Sequence, residues 1–415
     1  MDLLGGAPFW LLRAGIRSVA PPLTKDATAD VLVIGSGITG SLVALALAER
    51  GLRVIVVDRR DLCTGSTMAS TALLTYELDA PLYRLESSVG SAIARAAYGA
   101  GLAALECLRR RAQQLEVPLI AAPSVLFATT PRADHQLERE FVARSAVGIR
   151  VVRSTSAHLR RRFGLAARGG LVSRQAALVD PFELSHALLR AALLLGTRLF
   201  DRTRVTDIDV SCSGCIARTE AGPCISSAYV VDASGYEAAP RLPPGLVTLA
   251  SSYALVTEPL PRAPRPFLCW QRAKTYFYAR SAGTRLMVGG GDEPFVDAPT
   301  RDSLLPAKAR SLLHRVRLYF PDLRPATAFS WTGTFASTPD GIGYVGSLRS
   351  PRYLFALGFG GNGITCAATA SMLLCDVIAG TALLPPEVHA AFSFHRRSSA
   401  PHAPTSPITA PTASG

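Results

Sequence analysis

The sequence predicts an α/β protein (α+β overall), a Rossmann-like domain joined to a second domain built on an antiparallel sheet. Three observations predict it. Near the N-terminus, a short apolar run leads into a glycine-rich turn, a helical repeat and a second apolar run. Near the C-terminus, the same order of strand, glycine turn and helix recurs around 353–378. Between the two lie segments with strand character.

The chain has 415 residues, 48% hydrophobic and 18% charged. That is enough apolar material for two or three domains' worth of core, and it excludes wholesale disorder. The net charge is +13, from 44 basic against 31 acidic residues, and only Lys25, Lys274 and Lys308 are lysines. Short basic runs occur at Arg109–Arg111 and Arg160–Arg162, and the rest are spread along the chain. A nucleic-acid binder more often clusters its cations among aromatics, so no nucleic-acid partner is expected. The excess reads as an arginine-rich coding bias, with an anionic substrate or an acidic partner as the alternative. Eight cysteines in a chain of this length are not a disulfide framework. Cys212, Cys215 and Cys224 lie in a strand–turn–strand pattern with no fourth ligand nearby, so no metal is expected. No basic segment followed by an apolar stretch and cleavage site opens the chain. The apolar stretch 364–384 is broken by Asp376 and Gly380 and reads as a buried helix. A cytoplasmic protein with no stable membrane insertion is expected.

The first element is Val31-Leu32-Val33-Ile34, a continuous apolar run of the kind found in a parallel strand buried on both faces. Gly35-Ser36-Gly37-Ile38-Thr39-Gly40 follows. Ile38, Leu42, Leu45 and Ala46 then recur at helical spacing until Gly51 ends the helix. The next strand, Val54-Ile55-Val56-Val57, ends in Asp58. Each part has a physical task. Gly35 permits the tight turn, Gly37 lets a pyrophosphate approach the backbone, and Gly40 lets the helix pack close to the sheet. The N-terminus of the helix, at Ile38 and Thr39, offers free N–H groups to the phosphates. Asp58 is placed to accept from the ribose hydroxyls of an adenosine, and Arg59 follows either as a surface charge or in contact with that adenosine. This unit predicts dinucleotide binding without distinguishing FAD from NAD.

The second turn bears on that choice. The strand at 353–357 precedes Gly358-Phe359-Gly360-Gly361-Asn362-Gly363-Ile364 and a long apolar helix. Two such sites suit a cofactor with two polar ends. The second helix N-terminus can face the N1–C2 carbonyl edge of a flavin, where charge accumulates on reduction. NAD needs no second site of this kind, so FAD is the expected cofactor.

Beyond Asp58 runs Gly65-Ser66-Thr67-Met68-Ala69-Ser70-Thr71-Ala72, a small-residue loop ending at Tyr76 and Glu77. It resembles the segment that follows the second strand in FAD-dependent oxidoreductases of the D-amino acid oxidase (DAO) superfamily, the group containing glycine and sarcosine oxidases. Further matches span about 28–380. Asp180-Pro181-Phe182 resembles the family's helix start, Val205 its adenine-contacting strand, and Val230-Val231-Asp232-Ala233-Ser234-Gly235 the strand end that closes over the cofactor. The run 286–293 is similar to the strand and turn beside the flavin, and Trp331–Phe335 with Pro339-Asp340-Gly341 to the approach to the ring. Asp58 stands where the family usually has Glu, and Ser234 where it has Thr. The resemblance implies a noncovalent FAD contacted by Thr67, Ser70, Thr71, Val205, Ser234, Gly235, Asp340 and the 360–364 turn. Cys63, near the loop, reads as packing.

The domain division that follows is an N-terminal arm at 1–27, a discontinuous FAD-binding domain at 28–115, 165–242 and 330–385, a substrate domain at 116–164 and 243–329, and a disordered tail at 396–415. The substrate domain takes strands from 118–129, 251–256, 275–280 and 285–289, with helices near 133–148 and 304–318. The resemblance implies hydride transfer from the carbon bearing an amine to flavin N5, with a small-molecule amine or amino acid substrate and oxygen or another electron acceptor. Arg280 is a candidate carboxylate clamp, Tyr278 with Tyr276 a candidate wall, and Tyr76 a candidate flavin-facing residue. His186 and His314 read as packing or surface residues, and Glu77 and Asp79 as local caps or pairs. Two alternatives are an NAD(P)-dependent dehydrogenase and a non-catalytic FAD-binding scaffold subunit.

Overall fold

The computed structural model describes residues 3–15, 20–271, 273 and 276–396. Its first sheet has five adjacent parallel strands, in the order Arg198–Phe200, Val54–Val57, Ala27–Ile34, Cys224–Asp232 and Tyr353–Leu357. The strand Cys224–Asp232 is nine residues long and, on the edge away from Ala27–Ile34, serves two partners. Its first half pairs antiparallel with Cys215–Thr219, and its second half runs parallel to Tyr353–Leu357. The predicted apolar runs are central here because both faces are covered. Val31, Leu32 and Val33 are fully buried, as are Ile55, Val56 and Val57.

On one face pack the helices Ile38–Ala48, Ser91–Gln114, Pro181–Leu194 and Gly363–Ala379. Asp180 caps Pro181–Leu194 by accepting from the N–H groups of Phe182 and Glu183, each at 3.0 Å. The helical stretch Gly360–Ala379, which contains the helix Gly363–Ala379, is long and apolar enough to cross a membrane, by length and composition alone. Here it is mostly buried and lies against Ile38–Ala48 and Ser91–Gln114.

The second sheet has nine strands. Their order is Leu4–Gly6, Thr327–Ser337, Thr248–Thr257, Arg285–Pro294, Phe277–Ala282, Leu268–Gln271, Ser124–Ala128, Gly169–Ser173 and Val151–Thr155. All its pairs are antiparallel except Leu268–Gln271 with Ser124–Ala128. The helix Leu305–Tyr319 backs it through Leu312, Val316 and Tyr319.

Three expectations about chain organisation change. Residues 330–337 of the strand Thr327–Ser337 and the strand Gly169–Ser173, assigned to the FAD-binding half, belong to the antiparallel sheet. The N-terminal arm, set apart from both domains, is part of the second one, because Leu4–Gly6 adds an edge strand to that sheet and Phe9–Ala14 buries Trp10. Arg396, assigned to the tail, is built into the fold, while the rest of that tail lies outside the described residues.

Candidate functional site

The first glycine turn is held from both sides. Asp58 Oδ2 accepts from the Ser36 N–H at 2.8 Å and the Ser36 hydroxyl at 2.6 Å, and Oδ1 accepts from the Arg60 N–H at 3.0 Å. The Ile38 N–H donates to Thr67 Oγ1 at 2.9 Å, which ties the start of the helix to the small-residue loop. A Cβ on Gly40 would overlap the carbonyl oxygen of Gly35, so only glycine lets this helix approach the turn. Cys63 is buried, with its Sγ 3.2 Å from the Ser36 carbonyl oxygen, and burial pushes its thiol well up. It is a packed thiol.

A cavity of about 990 Å³ runs from Asp58, Arg59 and Val205, past Gly35 and Gly37, to the 358–364 turn and on to Trp270 and Tyr278. One continuous space therefore connects the two glycine turns. Of the residues expected to contact a dinucleotide, all but Gly40 and Asp340 line it. The buried Ser66 hydroxyl, also in the lining, has no hydrogen-bond partner, which suits a phosphate oxygen at that point. Arg59 and Arg60 both pair with Glu237 beside the adenosine end. At the other end the Gly361 N–H donates to Asp79 Oδ1 at 3.2 Å, and Thr75 Oγ1 donates to Asn362 Oδ1 at 2.9 Å.

Three site expectations are corrected, while Gly40 lies off the cavity in the packing role expected of it. Asp340 also lies off it, because its carboxylate is engaged by Arg396 Nε at 2.7 Å and Nη2 at 2.9 Å and by the Ile342 N–H at 3.0 Å. Burial would raise that carboxyl, but the Arg396 bonds and charge bring it below its ordinary range. Tyr76 is fully buried beside Tyr98, accepts from Arg144 at 3.0 Å and does not line the cavity. Its neighbour Glu77 belongs to the same buried group, in which Arg144 bonds Glu77 at 2.8 Å and Glu140 at 2.7 Å. Burial raises the Glu77 carboxyl, outweighing the pull of Arg144.

Arg280 is the third. It is not in the cavity lining. Its Nη1 donates to the carbonyls of Thr71 at 3.0 Å, Ala72 at 2.7 Å and Val179 at 3.1 Å. Burial lowers its pKa to about 9, which still leaves it charged at neutral pH. The Nε1 atoms of two tryptophans continue the pattern. Trp331 donates to the Ala69 carbonyl at 2.8 Å and Trp10 to that of Ser70 at 2.6 Å. Four successive carbonyls of the small-residue loop, 69 to 72, are thus each held by a side chain from another element. Ala72 bends the chain there with a φ of +52°. Arg280 is a staple behind the loop, not a clamp in front of it.

Tyr278 does line the cavity, with Trp270 and Tyr276. Its ring lies where a side chain on Gly289 would be, and burial pushes its hydroxyl up to about 12. Sequence reasoning missed Asp292. The ladder between Thr248–Thr257 and Arg285–Pro294 shifts here, with Ser251 opposite Glu293 and Tyr253 opposite Gly290. Two residues, Gly291 and Asp292, therefore face the single residue Ser252, and Gly291 has the left-handed φ of +68° that such a bulge uses. Regular alternation would send Asp292 to the face covered by Leu305–Tyr319. The extra residue aims it into the cavity, where Oδ1 is buried without a partner. The signal available in the sequence was the Gly289-Gly290-Gly291 run before it.

Comparison with known proteins agrees with this geometry. The family model described as DAO, FAD dependent oxidoreductase, matches residues 30–377. Glycine oxidase of Geobacillus kaustophilus is 28% identical over 364 residues, covering 84% of this chain and 92% of that protein. Its crystal structure superimposes with a TM-score of 0.73 at 24% identity, covering 89% and 99%, a likeness of fold alone. Gamma-glutamylputrescine oxidoreductase of Escherichia coli is 25% identical, covering 87% of this chain and 86% of that protein.

Proposed function

Because the chain belongs to the DAO family of FAD dependent oxidoreductases, we propose that it oxidises the C–N bond of an amino acid or amine by hydride transfer to N5 of a noncovalently held FAD. The observation that carries the proposal is the continuous cavity joining the Gly35–Gly40 turn to the 358–364 turn and ending at the Tyr278 wall. When bound, FAD supplies the ring that accepts the hydride.

The protein's part is binding and orientation. The N-terminus of Ile38–Ala48, the Gly37 backbone and the Ser66 hydroxyl would hold the pyrophosphate. Asp58 and Val205 border the adenosine end. The turn at 360–362 and the start of the helix Gly363–Ala379, with Asp79 beside the Gly361 N–H, would hold the polar edge of the ring. Trp270, Tyr276 and Tyr278 wall the far end and exclude water from the reacting carbon. Oxygen or another electron acceptor would take the electrons from the reduced cofactor, in a cytoplasmic protein without membrane insertion.

The test is anaerobic titration of the purified yellow protein with glycine, sarcosine, L-proline, butylamine and putrescine. Bleaching of the visible flavin band by at least one of them is expected. A protein that holds FAD and is bleached by no amine or amino acid would be a binding scaffold, and the proposed reaction would be wrong.

A further inference from the structure

The substrate end of the cavity has a chemical character of its own. Trp270, Tyr276 and Tyr278 share one face, with the two tyrosine rings 5.5 Å apart at centroid. Opposite Ser252, the bulge carries Asp292 onto that face. Its Oδ1 is shielded from solvent and has no partner. Leaving a carboxylate oxygen in that condition costs stability, which a buried unpaired acceptor does unless a ligand completes it. Arg280, which would have read a substrate carboxylate, is stapled to carbonyls behind the loop.

We propose that Asp292 and the aromatic wall of Trp270, Tyr276 and Tyr278 form an ammonium-binding subsite, so that substrates are chosen by their cationic nitrogen and not by a carboxylate. The inference rests on the proposed C–N oxidation and names its substrate class. Aromatic faces attract a cation through the ring quadrupole, and the carboxylate supplies the counter-charge in a partly desolvated site. With the ammonium seated, Asp292 is also the acceptor for its proton. An N–H bond breaks, an O–H bond forms on the carboxyl, and the nitrogen lone pair is freed. Burial raises Asp292 to about 6, with the charges of Asp79 and Glu293 adding to the rise, while a hydrogen bond from Ser252 to the carboxyl and the charge of Lys308 oppose it. Tyr278, facing it from the neighbouring strand, stays protonated across the same range.

The experiment uses the FAD-loaded protein and reads binding by calorimetry and by perturbation of the flavin spectrum. The probes are butylammonium, butyrate and tetramethylammonium, the last carrying a charge that never titrates. Butylammonium should bind at least about tenfold more tightly than butyrate, and Asp292→Asn should weaken both cations about tenfold or more with FAD content unchanged and melting temperature equal or higher. Asp292→Glu should keep the preference for cations. Tetramethylammonium binding should weaken below about pH 6 in the native protein and be flat with pH in Asp292→Asn. Equal or tighter binding of butyrate would overturn the proposal, as would unchanged cation binding in Asp292→Asn. If Asp292→Asn does not fold, a pH-independent tetramethylammonium affinity in the native protein would overturn it as well. Bleaching by amines together with either of these results sinks only this inference, whereas a protein that no amine bleaches sinks the reaction itself.

Discussion

Replacing Arg280 by Met separates a staple from a clamp. The guanidinium is 5% exposed and holds three carbonyls through Nη1. Each buried carbonyl left without a donor costs about 1–3 kcal/mol. Removing the ion also removes its own desolvation cost, several kcal/mol for a buried charge, and that offsets part of the loss. A net destabilisation of about 3–5 kcal/mol follows, in the range found when one partner of a buried charged group is deleted. Because two of the carbonyls belong to Thr71 and Ala72, the loop should loosen and FAD should dissociate faster. Arg280→Lys, with one ammonium in place of a fork, should recover part of the stability. The assay is urea unfolding of the apoprotein together with FAD release from the holoprotein. If Arg280→Met kept its stability to within about 1 kcal/mol and its FAD, yet lost affinity for carboxylate-bearing ligands only, Arg280 would be a clamp and the reasoning would fail.

Gly40→Ala should be more damaging than an ordinary surface change. Its Cβ meets backbone, the Gly35 carbonyl, which cannot rotate away, so a loss of about 3 kcal/mol and a fall in bound FAD are expected in thermal melts and flavin absorbance. Arg144→Met should cost about 3–5 kcal/mol, since it leaves Glu77 and Glu140 buried without their cation. Glu77 already has a raised carboxyl, which binds its proton more tightly in the folded state than in the unfolded one. Such a group's contribution is retained at low pH and lost as pH rises, so urea midpoints should show Arg144→Met more impaired near pH 8 than near pH 5. Arg396→Ala should lower the melting temperature, because Arg396 pairs with Asp340 and lies 3.8 Å from the Tyr344 ring centroid. The Asp340 carboxyl is lowered, so the stability this pair contributes is present above the ordinary carboxylate range and is lost as pH falls through it.

The sequence by itself determined the nucleotide half. Val31–Ile34, the Gly35–Gly40 turn, the Ile38–Ala48 helix and Asp58 are local patterns, set by side-chain period and by what glycine permits. The second glycine turn and its buried helix are of the same kind, and the family resemblance built on them holds over 30–377. What depends on strand register and on contacts distant in the chain was decided by the tertiary structure alone. Tyr278 and Arg280 are two residues apart on one strand, yet Tyr278 meets the cavity while Arg280 emerges beneath the 71–72 segment. Asp292 faces the cavity because one extra residue at Gly291 reverses the alternation, and a propensity pattern does not contain that reversal. Asp340 was lost to the site through Arg396, 56 residues away. Period and turn chemistry act over a few residues, but which side of a sheet or loop a polar group serves is set by partners that only folding brings near.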